Sequence, residues 1–177
     1  MKKIIFILIS IITHNLFAQK EMNSKTGIIH FEASVPLFEE VAATNKKGFC
    51  LLNTKSGQVT SVIFMKEFRF KLSLMEEHFN ENYMESSKFP KATFKGKIVN
   101  FDATKLNGTK ASYDLEEDLT IHGVTKKIKT KINLVENGGK VTATSNFTVK
   151  CKDYAIEIPS LVKEKFAENI KVGLDFD

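Results

Sequence analysis

The alternation of apolar and polar residues along the chain is the feature that most restricts its fold. In residues 118–134, DLTIHGVTKKIKTKINL, two alternating runs flank a glycine, and lysines occupy most polar positions of the second run. Neighbouring side chains of a β-strand point to opposite faces, so this pattern predicts two strands with one dry and one solvated face each. A chain built mainly of such strands encloses its apolar faces in a barrel or a sandwich.

The same period-two pattern recurs along most of the chain, with turn signals between the runs. Residues 136–140, ENGGK, have the Asn-Gly-Gly chemistry of a tight hairpin. The pattern predicts strands at residues 26–34, 48–54, 59–70, 92–101, 112–123, 124–135, 140–151 and 170–177. We therefore expect an all-β fold, an eight-stranded antiparallel barrel, because closure removes the exposed edges of long regular strands.

Two segments break this rhythm. Residues 71–84 place Leu72, Met75, Phe79 and Tyr83 at helical spacing, which predicts a helix that covers one end or a groove of the barrel. Residues 160–168 follow a proline and predict a second, shorter helix. The expected architecture is therefore a barrel with one or two short helices.

The first 18 residues have the features of an export signal. A pair of lysines precedes an apolar stretch at residues 4–12, and Ala18 supplies a small residue before the expected cleavage site. The stretch is too short to span a bilayer. We expect a signal peptide at residues 1–18 and one domain at residues 19–177, located in the periplasm or secreted beyond it.

The charge pattern argues against nucleic acid as a partner. The formal net charge is only +5, two units of which come from the lysines of the export signal. The remaining basic residues are spread among acidic ones, so no basic patch is predicted. The lysine-rich run Lys126, Lys127, Lys129 and Lys131 predicts a solvated strand face. A transient contact of these lysines with anionic lipid headgroups is the second interpretation.

No constellation of catalytic or metal-binding residues is apparent in the sequence. The histidines of the expected mature chain, His30, His78 and His122, lie in separate segments, and His30 and His122 fall on polar strand faces. A catalytic or zinc site needs two or three such groups to converge. We therefore expect no catalysis, no cofactor and no metal. Glu117 is the one carboxylate on an apolar face. We expect a bulge or a position at the barrel rim to turn it outward; the alternative is that it lies at a barrel mouth and contacts the polar head of a ligand.

The two cysteines permit two interpretations. Cys50 and Cys151 both fall on apolar strand faces, where a free thiol packs as a small hydrophobic group. An exported protein also lies where a disulfide persists, so the sequence leaves their pairing open.

Two longer motifs carry a resemblance to a known family. The stretches HFNENYMESSKFPKATFKGKI and DLTIHGVTKKIKTKI resemble those of the YceI-like family of exported lipid-binding proteins. The matching positions are Phe79, Phe89, Pro90, Phe94, Leu119, Thr120, His122, Gly123, Val124, Thr125 and Lys126. Two positions depart from that pattern: Glu117 stands where glycine is frequent, and Lys127 stands where proline is frequent.

The resemblance implies a lipocalin-like barrel whose apolar lumen accepts a polyisoprenoid or another long-chain lipid, for transport, storage or sequestration. The apolar faces of the strands and the helical spacing in residues 71–84 then predict which residues face the lumen. They are Val62, Phe64, Phe68, Phe70, Phe79, Phe94, Ile98, Leu115, Leu119, Ile121, Ile132, Phe147, Val149 and Leu174.

Three alternatives remain open from the sequence. An eight-stranded barrel can be filled by its own side chains, which would make the chain an exported interaction protein without a ligand. A barrel enzyme acting on a lipid in the lumen is the other functional class. The sequence also leaves open a homodimer.

Overall fold

In the computed structural model, which describes residues 21–177, nine strands form one antiparallel sheet. They are β1 (Glu21–Glu32), β2 (Ala42–Asn53), β3 (Gln58–Phe64), β4 (Phe68–Phe70), β5 (Lys91–Ile98), β6 (Ala111–Ile121), β7 (Val124–Asn137), β8 (Lys140–Val149) and β9 (Ile170–Phe176). Eight of them follow the order β1-β9-β8-β7-β6-β5-β3-β2, and pairing of β1 with β2 closes the barrel. The short β4 extends the sheet by pairing with β2. The prediction of an eight-stranded antiparallel barrel is confirmed.

Several strand boundaries differ from the sequence-based expectation: β1 begins at Glu21 rather than at residue 26, and β5 ends at Ile98 rather than at residue 101. β2 begins at Ala42 rather than Gly48, because the polar run before Gly48 still pairs with β1 and β4. The predicted strand 59–70 is interrupted by a 3-10 turn at Met65–Glu67, which separates β3 from β4. The expected signal peptide, at residues 1–18, lies outside the described residues.

The predicted helical segment forms a short, composite element. Helix α1 (Ser73–His78) runs directly into a π-helical turn at Phe79–Tyr83. The second expected helix is a 3-10 turn at Ser160–Lys165, and a further 3-10 turn at Cys151–Tyr154 follows β8. Within residues 21–177, none of the helices has the length and apolar character needed to cross a bilayer.

The two ends of the barrel are packed differently. At the end where β6 begins and β9 finishes, Ile98, Leu115 and Leu134 are almost completely buried. The ring of Phe176 lies directly over Gly27, where a Cβ atom would overlap it. This end is therefore closed by the chain's own side chains, and the opposite end carries α1 and the two 3-10 turns.

Candidate functional site

A cavity of about 430 Å³ lies inside the barrel at the end that carries α1. Inward side chains of β1, β5, β6, β8 and β9 form its walls, and the α1 segment and the turn at 160–165 border it. Its lining is almost entirely aliphatic and aromatic. The volume falls in the range of about 300–1,000 Å³ that is usual for small-molecule sites.

Four phenylalanine rings form one wall of the cavity. The ring of Phe79 stacks on that of Phe31, with centroids 5.5 Å apart and planes 24° apart. It also lies 5.6 Å from the ring of Phe68 and 5.1 Å from that of Phe70. The π-helical turn therefore closes over the barrel through aromatic contacts, whose geometry adds to the free energy of area burial.

Most of the predicted lumen residues are brought together by the fold. Nine of them line the cavity: Phe68, Phe70, Phe79, Phe94, Leu119, Ile121, Phe147, Val149 and Leu174. Ile98, Leu115 and Ile132 face the interior as expected, but they are buried in the packed end and do not border the cavity. The alternation of these strands thus predicted the face correctly, and the packing decided the depth of the cavity.

Two predicted lumen residues, Val62 and Phe64, lie on the outer face of the barrel. The buried side chains of β3 are Val59, Ser61 and Ile63, whereas Phe64 is 51% exposed. The prediction assumed one continuous strand from residue 59 to residue 70. The 3-10 turn at residues 65–67 shifts the parity, so that Phe68 and Phe70 point inward although Phe64 does not.

The sequence pattern did not identify some of the residues that line the cavity. Phe31 shares the face of Ile29 in the predicted first strand, so strand parity alone could have identified it. Tyr154, Ile156 and Phe166 lie in the irregular segment between β8 and β9. That segment has no periodicity from which an inward face could be inferred.

The LTIHGVTK motif forms a tight hairpin turn between β6 and β7. His122 and Gly123 both have positive φ, 50° and 76°, as a two-residue type I′ turn requires. His122 Nδ1 donates to the Tyr154 carbonyl oxygen at 3.2 Å, and its Nε2 lies 3.2 Å from Glu85 Oε2. The ring of Phe89 occupies the space beside Gly123 that a Cβ would need. His122 therefore positions the Tyr154 turn at the cavity.

Glu117 does not turn outward, so the expectation of a bulge or a rim position is wrong. Its pairing with Gly96 of β5 and Ile128 of β7 belongs to an uninterrupted register, and its side chain is 5% exposed. Gly96 makes room for it, since a Cβ there would lie 2.7 Å from Glu117 Cβ. Thr130 Oγ1 donates to Oε2 at 3.4 Å, whereas the buried Oε1 has no hydrogen-bond partner among residues 21–177. Burial raises the pKa of the Glu117 carboxyl to about 8.

The lysines of β7 face solvent, and three of them, Lys127, Lys129 and Lys131, pair with acidic residues of β6. Lys129 Nζ lies 2.7 Å from Glu116 Oε1, and Lys131 Nζ lies 2.7 Å from Asp114 Oδ1. Such exposed pairs contribute little to stability. They do offset the positive charge of this face, which weakens the interpretation that it attracts anionic headgroups.

Both cysteines are free thiols. Cys50 lies in the core, where burial raises its pKa to about 12, and Cys151 borders the cavity, where burial also raises its pKa. Within residues 21–177, no group of three or more His, Cys, Asp or Glu side chains is arranged to hold a metal ion.

A closed eight-stranded antiparallel barrel with an apolar cavity at one end is a lipocalin-like barrel. The YceI-like domain family matches residues 18–177, and the chain belongs to this family. None of the curated proteins matches the chain.

Solved structures share this fold at low sequence identity. A polyisoprenoid-binding domain from Saccharophagus degradans, implicated in plant cell wall breakdown, has a TM-score of 0.75 at 16% identity, over 88% of this chain and 94% of that one. Burkholderia cenocepacia BcnA has a TM-score of 0.70 at 14% identity, over 84% of this chain and 94% of that one. A Campylobacter jejuni YceI protein has a TM-score of 0.59 at 14% identity, over 80% and 87%.

Proposed function

We propose that this protein is a periplasmic, non-catalytic carrier that holds a long-chain lipid or polyisoprenoid in the barrel cavity. The observation that carries the proposal is the apolar cavity of about 430 Å³ at one end of the barrel. Membership in the YceI-like family and the likeness to a polyisoprenoid-binding domain support the same ligand class. Transport, storage and sequestration all require this reversible burial of hydrocarbon.

Apolar walls are sufficient for such binding. Removing one CH₂ group from water contributes about 0.8 kcal/mol, and drug-sized ligands realise about 0.3 kcal/mol per heavy atom. Each additional pair of carbons inside the cavity should therefore raise the affinity roughly 3-fold to 15-fold. Walls of Phe, Leu, Ile and Val select a ligand mainly by its length and width.

The two alternatives are less well supported. A filled-core interaction protein would have its own side chains in the space that the cavity occupies. A lipid-modifying enzyme would need converging catalytic groups. His78 borders the cavity, whereas His30 lies beside Thr44 on the surface and His122 hydrogen-bonds the Tyr154 backbone, so the three histidines do not converge. Mass spectrometry of an organic extract of the purified protein tests the carrier, and turnover of the extracted lipid would support the enzyme.

Ligand binding should protect Cys151 from thiol reagents. Cys151 borders the cavity and Cys50 is buried in the core, so a bound lipid covers the first thiol and leaves the second unchanged. We expect a saturating long-chain lipid to slow the modification of Cys151 about tenfold, measured by mass spectrometry of timed samples. The Cys151→Ser variant identifies the reacting thiol. Equal rates with and without lipid, at a concentration that saturates binding, would contradict placement of the ligand in this cavity.

Three elements meet around the cavity mouth. The Ala167 amide donates to the Ala33 carbonyl oxygen at 2.9 Å, which joins the segment after the 160–165 turn to the end of β1. The rings of Tyr83 and Phe166 lie 5.7 Å apart and join the same segment to the π-helical turn. The loop between β1 and β2 adds Phe38, which is partly exposed and borders the cavity.

Two leucines next to these lining residues face solvent. Leu37 is fully exposed and has φ 72°, a conformation that is unfavourable for a leucine, and Leu161 is 85% exposed. Neither the exposure of these apolar side chains nor the positive φ of Leu37 stabilises the isolated fold. We propose that these leucines contact a lipid bilayer, because their neighbours Phe38 and Val162 line the apolar cavity and exposed apolar side chains beside such a cavity suit a membrane contact.

Replacing both exposed leucines should slow lipid transfer without changing affinity. The double variant Leu37→Ser/Leu161→Ser removes apolar area from the proposed membrane contact, and we expect transfer of a fluorescent lipid between vesicles to slow about tenfold. Its dissociation constant in solution should equal that of the wild type, because neither leucine lines the cavity. An unchanged transfer rate would rule out this contact.

Fractionation of expressing cells tests the periplasmic location, and a mass measurement in solution tests the homodimer.

A further inference from the structure

The cavity extends only partway along the barrel interior. β9 lines it with Ile170, Val172 and Leu174, whereas the next inward residue of this strand, Phe176, is buried and does not border it. Of the residues that the structure describes, none in β2 or β7 borders the cavity. The hollow part of the barrel therefore has a floor.

The ring of Phe176 lies directly behind this floor. A Cβ atom on Gly48 of β2 would overlap Ile29 Cδ1 and would lie 3.1 Å from Phe176 Cε1, so the two side chains lie close together at this point. Ile29 lines the cavity and Phe176 does not. A ligand that reached farther into the barrel would have to displace this ring.

The acidic and basic side chains that border the cavity all lie at its other end. Glu39 belongs to the loop between β1 and β2, His78 ends α1, Lys150 follows β8 and Lys165 ends the 160–165 turn. The floor and walls offer hydrocarbon, where an unpaired polar group is costly to bury. A lipid with a polar head therefore binds with its head at this end and its tail toward the floor.

The cavity volume limits how many carbons of the tail can be buried. A protein cavity of about 150 Å³ holds benzene, which corresponds to about 25 Å³ per carbon. At this density the cavity of about 430 Å³ holds roughly 17 carbons. A polyisoprenoid of roughly 40 carbons would need about 1,000 Å³, more than twice the space.

We propose that the ligand is a single-chain lipid of which the cavity buries at most about 17 carbons, and that Phe176 sets this limit. This inference rests on the proposed function and narrows its ligand class. The carbons of a longer chain stay outside the cavity and contribute little affinity.

A series of saturated fatty acids tests the limit. Competition against a fluorescent long-chain probe, below the concentrations at which the acids form micelles, gives the affinity for each length. We expect the affinity to rise roughly 3-fold to 15-fold for every two carbons up to about 17 carbons. From 18 to 22 carbons it should change less than about twofold, and a polyprenol of about 40 carbons should exceed one of 15 carbons by no more than about one such step.

Two variants should move the limit in opposite directions. Ala92→Leu adds three carbons to a side chain that lines the cavity, so the affinity should level off about three carbons earlier. Phe176→Leu removes three carbons behind the floor, so the affinity should level off up to about three carbons later. Ala92→Leu fills space rather than creating it, and it tests the limit even if Phe176→Leu lowers stability. Ala103→Leu makes the same change at an exposed position away from the cavity and should leave the limit unchanged.

The outcomes separate this limit from the carrier function itself. If the wild type binds none of these lipids, the proposed function fails and the limit fails with it. If affinity keeps rising through 22 carbons and on to the polyprenol of about 40 carbons, the carrier stands and the limit is overturned. A levelling that Ala92→Leu does not shift relative to Ala103→Leu would also overturn it, because the cavity would not be what sets the length.

Discussion

Replacing Phe79 with aspartate is expected to lower the melting temperature by roughly 6–12 °C and to empty the cavity of ligand. The ring of Phe79 lies within 5.6 Å of those of Phe31, Phe68 and Phe70, so the variant removes a large aromatic contact and places a charge against three rings. Truncating a fully buried phenylalanine costs about 3–5 kcal/mol, and Phe79 is only partly buried, so we expect a cost near the lower figure, about 3 kcal/mol. For a domain of this size, each kcal/mol shifts the melting temperature by about 2–4 °C.

Leu74→Asp is the matched control for this variant. Leu74 lies in α1, which runs directly into the π-helical turn of Phe79. It is mostly exposed and does not line the cavity, so the same charge there should change neither property appreciably. Differential scanning calorimetry and the lipid content of the purified proteins measure the two effects. If Phe79→Asp kept both its melting temperature and its lipid content, the π-helical turn would not close the cavity.

Replacing Glu117 with leucine should stabilise the protein, and the gain should grow as the pH rises. Burial raises the pKa of this carboxyl from 4.5 to about 8, so between these values the native state keeps a proton that the unfolded chain releases. The stability that the neutral carboxyl contributes is therefore complete below about pH 4.5, falls as the pH rises, and is lost above about pH 8. At about 1.4 kcal/mol per pKa unit, the whole window corresponds to roughly 5 kcal/mol as an upper figure.

Between pH 4.5 and pH 7, the stability of the Glu117→Leu variant relative to the wild type should therefore rise by about 3 kcal/mol. The measurement is the free energy of unfolding in urea at several values between pH 4.5 and pH 8.5, taken as the difference between variant and wild type. This difference removes the contribution of groups common to both proteins. Glu116→Gln provides the control, because Glu116 faces solvent and pairs with Lys129. A constant difference across the range would show that Glu117 is already charged in the folded protein.

Strand periodicity was a good guide wherever a strand ran without interruption. Phe94, Leu119, Phe147 and Leu174 were predicted to face the lumen and do line the cavity, since the side-chain period of an unbroken strand is two. The same argument misplaced Phe64. The 3-10 turn at residues 65–67 changes which alternate residues point inward, and the sequence does not clearly indicate this turn.

The alternation of the sequence determined the class of fold, the approximate positions of the strands and the apolar character of the interior. Pairing of β1 with β2 and packing of the phenylalanines around Phe79 decided that one end stays hollow while the other is filled. Tertiary structure also decided that Glu117 points inward, opposite a glycine that makes room for it. The reason is physical: periodicity is a property of neighbouring residues, whereas an enclosed volume depends on how distant strands meet.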